Sequence, residues 1–535
     1  MKKLRIVSYA INGRGVGHLV RQLSILRWVR RYAALLGVNA EVWVLTTSEA
    51  DTLARREGVP AFKMPSKIMM RDAGIEPTRW LAVARQWVMN AIAGLSPDVL
   101  VVDTFPGGSF GELLSVLEMV PARVLVARAV RDQIAGDDAY RALLPMYQRT
   151  VIPDERGVGP ILIREREELL DRDTARAALG VPAGRRAAYV TLGGGGDEMC
   201  ARVLPPLTDK LVARGWHVVV GAGPLYMGPE RRGPNITWMD RYVPLELLPG
   251  VDAAVSAGGY NAVTELMFAG VPTVFLPQPR IADDQEERAR AAAAAGAGRL
   301  ATSIDEIPDL LEAPGDPEAA RALVPANGAR AAAAEVLAAA LPAADVAMAQ
   351  SVLSPLAWAR AQRLGASALE LVSLVAGDAP SVHKDHDAVI AMHLGADAVP
   401  SRRSQPASAR VDRFLRIAEA ARPPGDTALS IVRGLRKKFP TASLDGVVDA
   451  CEVLFPAWAR FDDWMGAVSL VNALPIQRGM ALADAAGAIA GWLAREDDLF
   501  DALRSFARLE GNGARPLPDV LRSLGAPTNG VGAEA

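Results

Sequence analysis

A strand-like run, Leu4 to Ala10, leads into Gly13-Arg14-Gly15-Val16-Gly17-His18, and a helix-like segment, Leu19 to Leu36, follows. Glycines in such a loop let the backbone approach an oxygen-rich ligand, and the helix start offers free N–H groups and a partial positive charge. His18 falls in the first helical turn, where the dipole favours the uncharged imidazole, the form that acts as a general base. A histidine that merely caps or packs the helix fits the same position. The glycine spacing differs from a dinucleotide fingerprint, and about twenty residues on there is no acid for a ribose before Glu41, which argues against NAD.

Two further loops carry the same kind of chemistry. Gly193 to Gly196, followed by Asp197, lies between a strand and a helix and makes a backbone nest suited to phosphate, although a plain tight turn also uses some of these glycines. The more informative stretch is Gly258-Gly259-Tyr260-Asn261-Ala262-Val263-Thr264-Glu265, continued by Gly270-Val271-Pro272, Leu276-Pro277 and Asp283-Asp284-Gln285. Gly258-Gly259 ends a strand and opens a helix, which is an anion site. Glu265, two turns in, can accept the vicinal hydroxyls of a ribose or be a solvated helix glutamate.

Short apolar runs alternating with amphipathic helices must position these loops. The rhythm runs through Ala40 to Leu45, Thr78 to Gly94, Val99 to Val102 with Asp103 at its end, a helix-like Phe110 to Met119, and Arg123 to Ala127. Val151 to Pro160 reads as a linker. A second series then begins at Ala187 to Leu192 and runs through His217 to Val220, Ile236 to Met239, Ala253 to Ser256 and Thr273 to Leu276. This is α/β patterning: two doubly wound, Rossmann-like domains, 1–160 and 161–340, with the glycine loops at the carboxyl ends of the strands, facing the cleft between them. From 341 to 510 Ala-rich helical periodicity takes over, an all-α region. No fixed repeat is convincing there, though helix pairs of 35 to 40 residues would make a solenoid. The glycine- and proline-rich stretch 511–535 reads as a flexible tail.

Composition narrows the classes. The chain has 535 residues, 50% hydrophobic, and 59 Lys+Arg against 61 Asp+Glu for a net charge of -2. That length predicts about three domains, and the balance lacks the basic excess that would make nucleic acid a partner. Cys200 and Cys451 alone exclude a disulfide framework and fit a reducing cytosol. The start, Met1 to Ile6, lacks a signal-peptide pattern, and no apolar run reaches the ~20 residues of a membrane span, so a cytoplasmic protein is expected.

The three glycine loops, in this order on two α/β domains, resemble the glycosyltransferases of the GT-B fold, most closely the MurG-like branch. The resemblance covers residues 1 to 340 and is specific from Tyr242 to Gln285. It implies a GT-B arrangement of the two domains, with the helical region as an addition. It also implies donor contacts at Gly15, Gly17, Gly194, Gly195, Val243, Gly258, Gly259, Asn261, Glu265 and Gln285. The diphosphate would lie against Gly258, Gly259 and Asn261, the ribose on Glu265, the base on the backbone around Val243, and the donor sugar near Gln285. His18 matches the family's proposed catalytic base or acceptor-site residue. Where the family usually offers two adjacent amides to the sugar, this chain has Asp284-Gln285-Glu286, which leaves the sugar open.

The expected function is therefore inverting transfer of a hexose or N-acetylhexosamine from a UDP-type nucleotide sugar to an acceptor hydroxyl. No cofactor or metal is expected. The acceptor is left open among a lipid, a glycan, a small molecule and a protein. Alternatives keep the donor site but make the protein a nucleotide-sugar hydrolase, or a non-catalytic sensor whose helical region recruits a protein partner. Phe62 to Met70, with Lys63, Lys67 and Arg71, is compatible with peripheral contact at the inner face of a membrane, or with a surface loop over a methionine cluster. His383, His386 and His393 could hold a metal but more often form polar surface. Arg433, Arg436, Lys437 and Lys438 read as a solvated face.

Overall fold

The run Val99–Asp103 is buried at every position, as are Ala187–Thr191 and Ala253–Ser256. Strands covered on both faces carry this continuous apolar pattern, and they belong to parallel sheets flanked by helices. A computed structural model describes residues 3–11, 16–128, 138–196, 198–278, 284–365, 367–377, 406–477, 480–510 and 515–526. By contacts the chain divides into two units. One comprises Lys3–Arg30 and Asn39–Pro342; the other comprises Arg31–Val38 and the chain from Ala343 onward.

The first unit holds two six-stranded sheets. In the first, β1 (Lys3–Ala10), β2 (Asn39–Thr46), β3 (Ala61–Lys63), β4 (Val99–Asp103), β5 (Ala122–Val126) and β6 (Arg149–Val151) lie in the order β3-β2-β1-β4-β5-β6. In the second, β7 (Ala187–Thr191), β8 (His217–Gly221), β9 (Ile236–Met239), β10 (Ala253–Ser256), β11 (Thr273–Phe275) and β12 (Gly298–Leu300) lie in the order β12-β11-β10-β7-β8-β9. All pairings are parallel, with Ile6 opposite Val99 and Ala253 opposite Ala188. Both sheets therefore reverse direction once, between β1 and β4 and between β7 and β10. At such a switch point the loops leaving the carboxyl ends of the two central strands diverge and open a crevice.

Between the sheets the chain is clamped by side chains. The Asn327 amide accepts from Leu162 N at 2.9 Å and donates to Leu162 O and Arg164 O at 3.0 Å. The Trp28 indole donates to buried Glu165 at 2.9 Å. Arg149 on β6 donates to Glu335 at 2.6 Å, which ties the helix Ala329–Leu337 to the first sheet.

Phe110 to Met119, expected as a helix, is instead a run of turns ending in the 3-10 turn Leu117–Met119. Gly108 and Gly111 adopt φ values of +85° and +82°, and fully buried Glu112 turns inward to accept from Ser109 N, Phe110 N and the Tyr9 hydroxyl. A carboxylate spent on loop amides competes with helix formation. β3, β6 and β12 are each three residues long, too short for a sequence period to register.

The described residues of the second unit are helical. Ala407–Ala421, Leu444–Ala459, Leu482–Leu493 and Leu517–Ser523 pack in succession, each on the next. Their partners Thr427–Lys438, Trp464–Ala473 and Leu499–Glu510 form a second succession. Starts at 407, 444, 482 and 517 step by about 37 residues, so this is a two-layer solenoid of helix pairs. Aromatic residues seal its layers: Phe455 meets Phe414 at 6.1 Å and Trp464 at 5.7 Å, and Trp492 meets Phe506 at 6.1 Å. The last helix of the succession lies within the stretch expected as a tail, and its Leu517, Val520 and Leu521 are buried. His383, His386 and His393 lie outside the described residues.

Candidate functional site

Loops from the carboxyl ends of both sheets line one cleft of about 400 Å³, a volume suited to a small ligand. From the first sheet come Val16, Gly17, His18 and Arg21 after β1, and Arg128 after β5. From the second come Gly193 to Gly196 after β7, and Gly259, Tyr260, Asn261 and Glu265 after β10, together with Tyr242 and Gln285.

His18 is not a simple cap. Its Nδ1 lies 2.5 Å from Oδ1 of Asp103, the last residue of β4. Asp103 is fully buried, and its carboxylate also accepts from Arg21 Nε at 2.9 Å, Arg21 Nη2 at 2.8 Å, Gln22 Nε2 at 3.0 Å and Thr104 Oγ1 at 2.7 Å. Burial alone would raise the Asp103 carboxyl, but the charges of Arg21 and His18 outweigh it and hold the group well below the usual carboxylate range. An ionised carboxylate only accepts, so Nδ1 must carry the imidazole proton. Nε2 is left as the ring nitrogen that no described residue bonds. Asp103, Arg21 and Gln22 are site residues that the glycine motifs did not reveal. The signal for the last two is their spacing, three and four residues after His18 on one helix face.

The Gly258–Glu265 loop departs in detail from expectation. Gly258 takes φ +83°, and a Cβ there would stand 3.0 Å from Gln285 O, so glycine is required. Its N–H, however, donates to Ser256 Oγ at 3.2 Å, and its carbonyl accepts from Arg288 Nε. Gly259 is the N-cap of the helix Tyr260–Ala269, no side chain caps that end, and the first intrahelical bond is Val263 N to Gly259 O. The amides left to meet an anion are therefore those of Gly259, Tyr260, Asn261 and Ala262. Asn261 faces Gly17 across the cleft, where a Cβ on Gly17 would lie 3.5 Å from its amide oxygen.

Gly194 and Gly195 line the cleft as expected, and packing also demands glycine at 195. A Cβ on Gly195 would sit 2.4 Å from Ala222 O, and Gly194 O accepts from Leu225 N. Val243 is buried and lies beside the cleft, its N–H 3.4 Å from the Tyr189 hydroxyl, while Tyr242 forms the wall. Gln285 reaches the cleft and accepts from Gln278 N at 3.1 Å. Gly15 and the stretch 279–283 lie outside the described residues.

Glu265 is half-buried in the wall. Desolvation, reinforced by Glu246 and opposed by Arg164, pushes its carboxyl from 4.5 up to about 7. The folded chain thus holds this proton more tightly than the unfolded chain, so the Glu265 contribution makes stability fall as pH rises from about 4.5 to about 7. Glu265→Gln removes that fall. Its melting temperature is expected to exceed that of the wild type at pH 8, by the equivalent of about 1–3 kcal/mol, and to match it near pH 4.5. Calorimetry across this range checks it; a constant offset contradicts it.

Residues 241–341 match the glycosyltransferase family 28 C-terminal domain. A UDP-N-acetylglucosamine--N-acetylmuramyl-(pentapeptide) pyrophosphoryl-undecaprenol N-acetylglucosamine transferase of Nocardia farcinica is 31% identical over 342 residues, which cover 57% of this chain and 87% of that protein. The chain belongs to the MurG-like family 28 glycosyltransferases. The transferase of the same description from Clavibacter sepedonicus is 31% identical over 52% of this chain, and the match spans 62% of that protein's length. Among solved structures, MurG of Acinetobacter baumannii aligns over 63% of this chain and 100% of its own, at 14% identity and a TM-score of 0.40. The family 28 match falls on the second sheet, from Arg241 beside the cleft through the Gly258–Glu265 loop and helix.

Proposed function

We propose that the protein transfers a hexose or N-acetylhexosamine from a UDP-type nucleotide sugar to an acceptor hydroxyl, with inversion and without a metal ion. The observation that carries this reading is that a carboxylate-oriented imidazole and an uncapped helix N-terminus face one cleft from opposite sheets. The acceptor O–H gives its proton to His18 Nε2 while its oxygen bonds the sugar C1. The C1–O bond to the diphosphate breaks on the opposite face, which inverts the centre, and the electron pair leaves on phosphate oxygen. The amides of Gly259, Tyr260, Asn261 and Ala262 meet that charge, and Glu265 holds the ribose hydroxyls.

The relatives' names give their acceptor as lipid-linked. In this chain the first sheet carries exposed Met69, Ile75, Val83 and Phe110, with Lys67 4.9 Å over the Phe110 ring. Phe62 stacks on Trp43 and is itself exposed, while Met64 is buried, so only part of the methionine-rich stretch is outward. Among the described residues no helix is long and apolar enough to cross a membrane. An acceptor presented at a membrane surface suits this face. Lys67→Glu with Met69→Glu is expected to cut cosedimentation with anionic vesicles about tenfold; unchanged binding contradicts it.

The test of the activity is release of UDP from UDP-N-acetylglucosamine and UDP-glucose with and without membrane extract as acceptor source. Transfer predicts release that depends on the extract. Equal release without it means that water is the acceptor, and no release from either donor overturns the reading.

A further inference from the structure

We propose that the protein has a second ligand site, a cavity at the far end of the helix Tyr260–Ala269 from the cleft, where Arg166, Arg172 and Arg321 together bind a small anion with two or more oxyanion groups. The site stands apart from the donor and acceptor readings above.

The cavity holds about 460 Å³, within the range of ligand pockets. Its walls come from the chain that leads into β7, from Pro249 to Asp252 ahead of β10, from the turn between Phe268 and Pro272 ahead of β11, and from Arg321 on the helix Pro317–Leu323. The ten residues of Tyr260–Ala269, at 1.5 Å each, set it about 15 Å from the first turn that faces the cleft. The two cavities share none of their described lining residues.

The lining sets three guanidiniums against one carboxylate, that of Asp252. Arg166 donates to Val324 O at 3.1 Å and lies 4.7 Å over the Phe268 ring. Arg172 pairs with Asp252, and Arg321 pairs with Glu318 of its own helix. Each of these bonds uses one of a guanidinium's five N–H groups, so among the described residues all three arginines keep donors in hand. Asp252 has further partners, Ala187 N at 2.7 Å and Arg176 at 3.4 Å. Gly270 ends the helix at φ +75°, and a Cβ there would stand 2.5 Å from Arg321 Nε. Glycine thus lets the guanidinium lie across the helix end.

A cation at that end is favourable in itself, because a helix C-terminus carries roughly half an elementary negative charge. One arginine answers it. Three arginines less one aspartate leave the lining a surplus of two positive charges, which repel one another until an anion joins them. Guanidinium forks match the paired oxygens of phosphate and carboxylate alike. The apolar part of the wall, with Leu169, Val251 and Phe268, accommodates the carbon skeleton of such a ligand. Arginines that served only the helix end would give the same contacts with no ligand, and the experiment separates the two.

The experiment is calorimetric titration of pyrophosphate and of citrate, each without and with UDP, into the wild type and two charge-matched double variants, with melting temperatures recorded. Arg172→Gln with Arg321→Gln strips the cavity. Arg214→Gln with Arg232→Gln removes two exposed arginines that pair elsewhere, with Asp309 and Glu230. The expected result is that one or both anions bind the wild type with a Kd of about 1 mM or tighter, that the cavity variant loses at least about tenfold, and that the control stays within about twofold. UDP leaves these affinities unchanged. A preference for pyrophosphate or for citrate assigns phosphate or carboxylate chemistry to the site. Should the cavity variant melt early, Arg172→Gln alone, whose side chain is 52% exposed in the wild type, is expected to show an intermediate loss. Displacement by UDP together with full affinity in the cavity variant would put the anion in the cleft and overturn the proposal. Equal loss in the control, or no binding of either anion, also overturns it.

Discussion

Alanine at position 18 is expected to lower kcat by about 10²- to 10⁴-fold and to leave UDP affinity within about twofold of the wild type. The expectation follows from the geometry of the two sheets. His18 enters the cleft from the loop after β1, whereas the amides that face a diphosphate belong to the helix after β10. Truncating the imidazole removes the proposed proton acceptor on one side and touches nothing on the other. Steady-state kinetics with a saturating donor, beside a UDP titration, checks it. A fall in UDP affinity equal to the fall in kcat would assign His18 to donor binding.

Asp103→Asn is expected to be nearly as damaging to kcat, by about 10²- to 10⁴-fold, and it adds a stability loss that His18→Ala does not carry. The carboxylate orients Nδ1–H, and an amide can present its NH₂ there and force the wrong tautomer. It also leaves Arg21, 2% exposed, without its ion pair, which in buried pairs costs about 3–5 kcal/mol. Because the Asp103 carboxyl is held below its ordinary 3.8, its contribution is complete above that pH and is lost as pH falls through and below it. The wild type should therefore converge on the variant in acid, and denaturant melts at pH 7 and pH 3 measure this. A constant gap between them would mean that Asp103 stabilises by shape alone.

The loops were legible because their chemistry is local. Gly258 needs a positive φ, and Gly195 lies against a neighbouring carbonyl, so glycine at both is written in the chain. Asp103 was visible only as the acid at the end of a strand. Its partnership with His18 spans 85 positions and arises because β1 and β4 are neighbours at a switch point, a consequence of crossover order. The motif implies an anion contact at Gly258, yet its N–H is spent on Ser256, a bond two residues away that a motif does not reveal. The solenoid is legible in the sequence only as conceivable helix pairs of 35 to 40 residues, with no fixed repeat to single it out. Its helices share buried apolar positions such as Leu482 and Leu517, and Ala-rich helices satisfy that pattern in many registers.

The central claim is a metal-free nucleotide-diphosphate site built on the helix after β10, and the direct measurement is the melting temperature of the wild type and Glu265→Ala with UDP in EDTA. At one hundred times its dissociation constant a ligand adds about 2.7 kcal/mol of stability. The account predicts a clear upward shift for the wild type and loss of most of it for the variant. No shift with UDP, dTDP or GDP, or a shift that appears only when Mg²⁺ is restored, contradicts it.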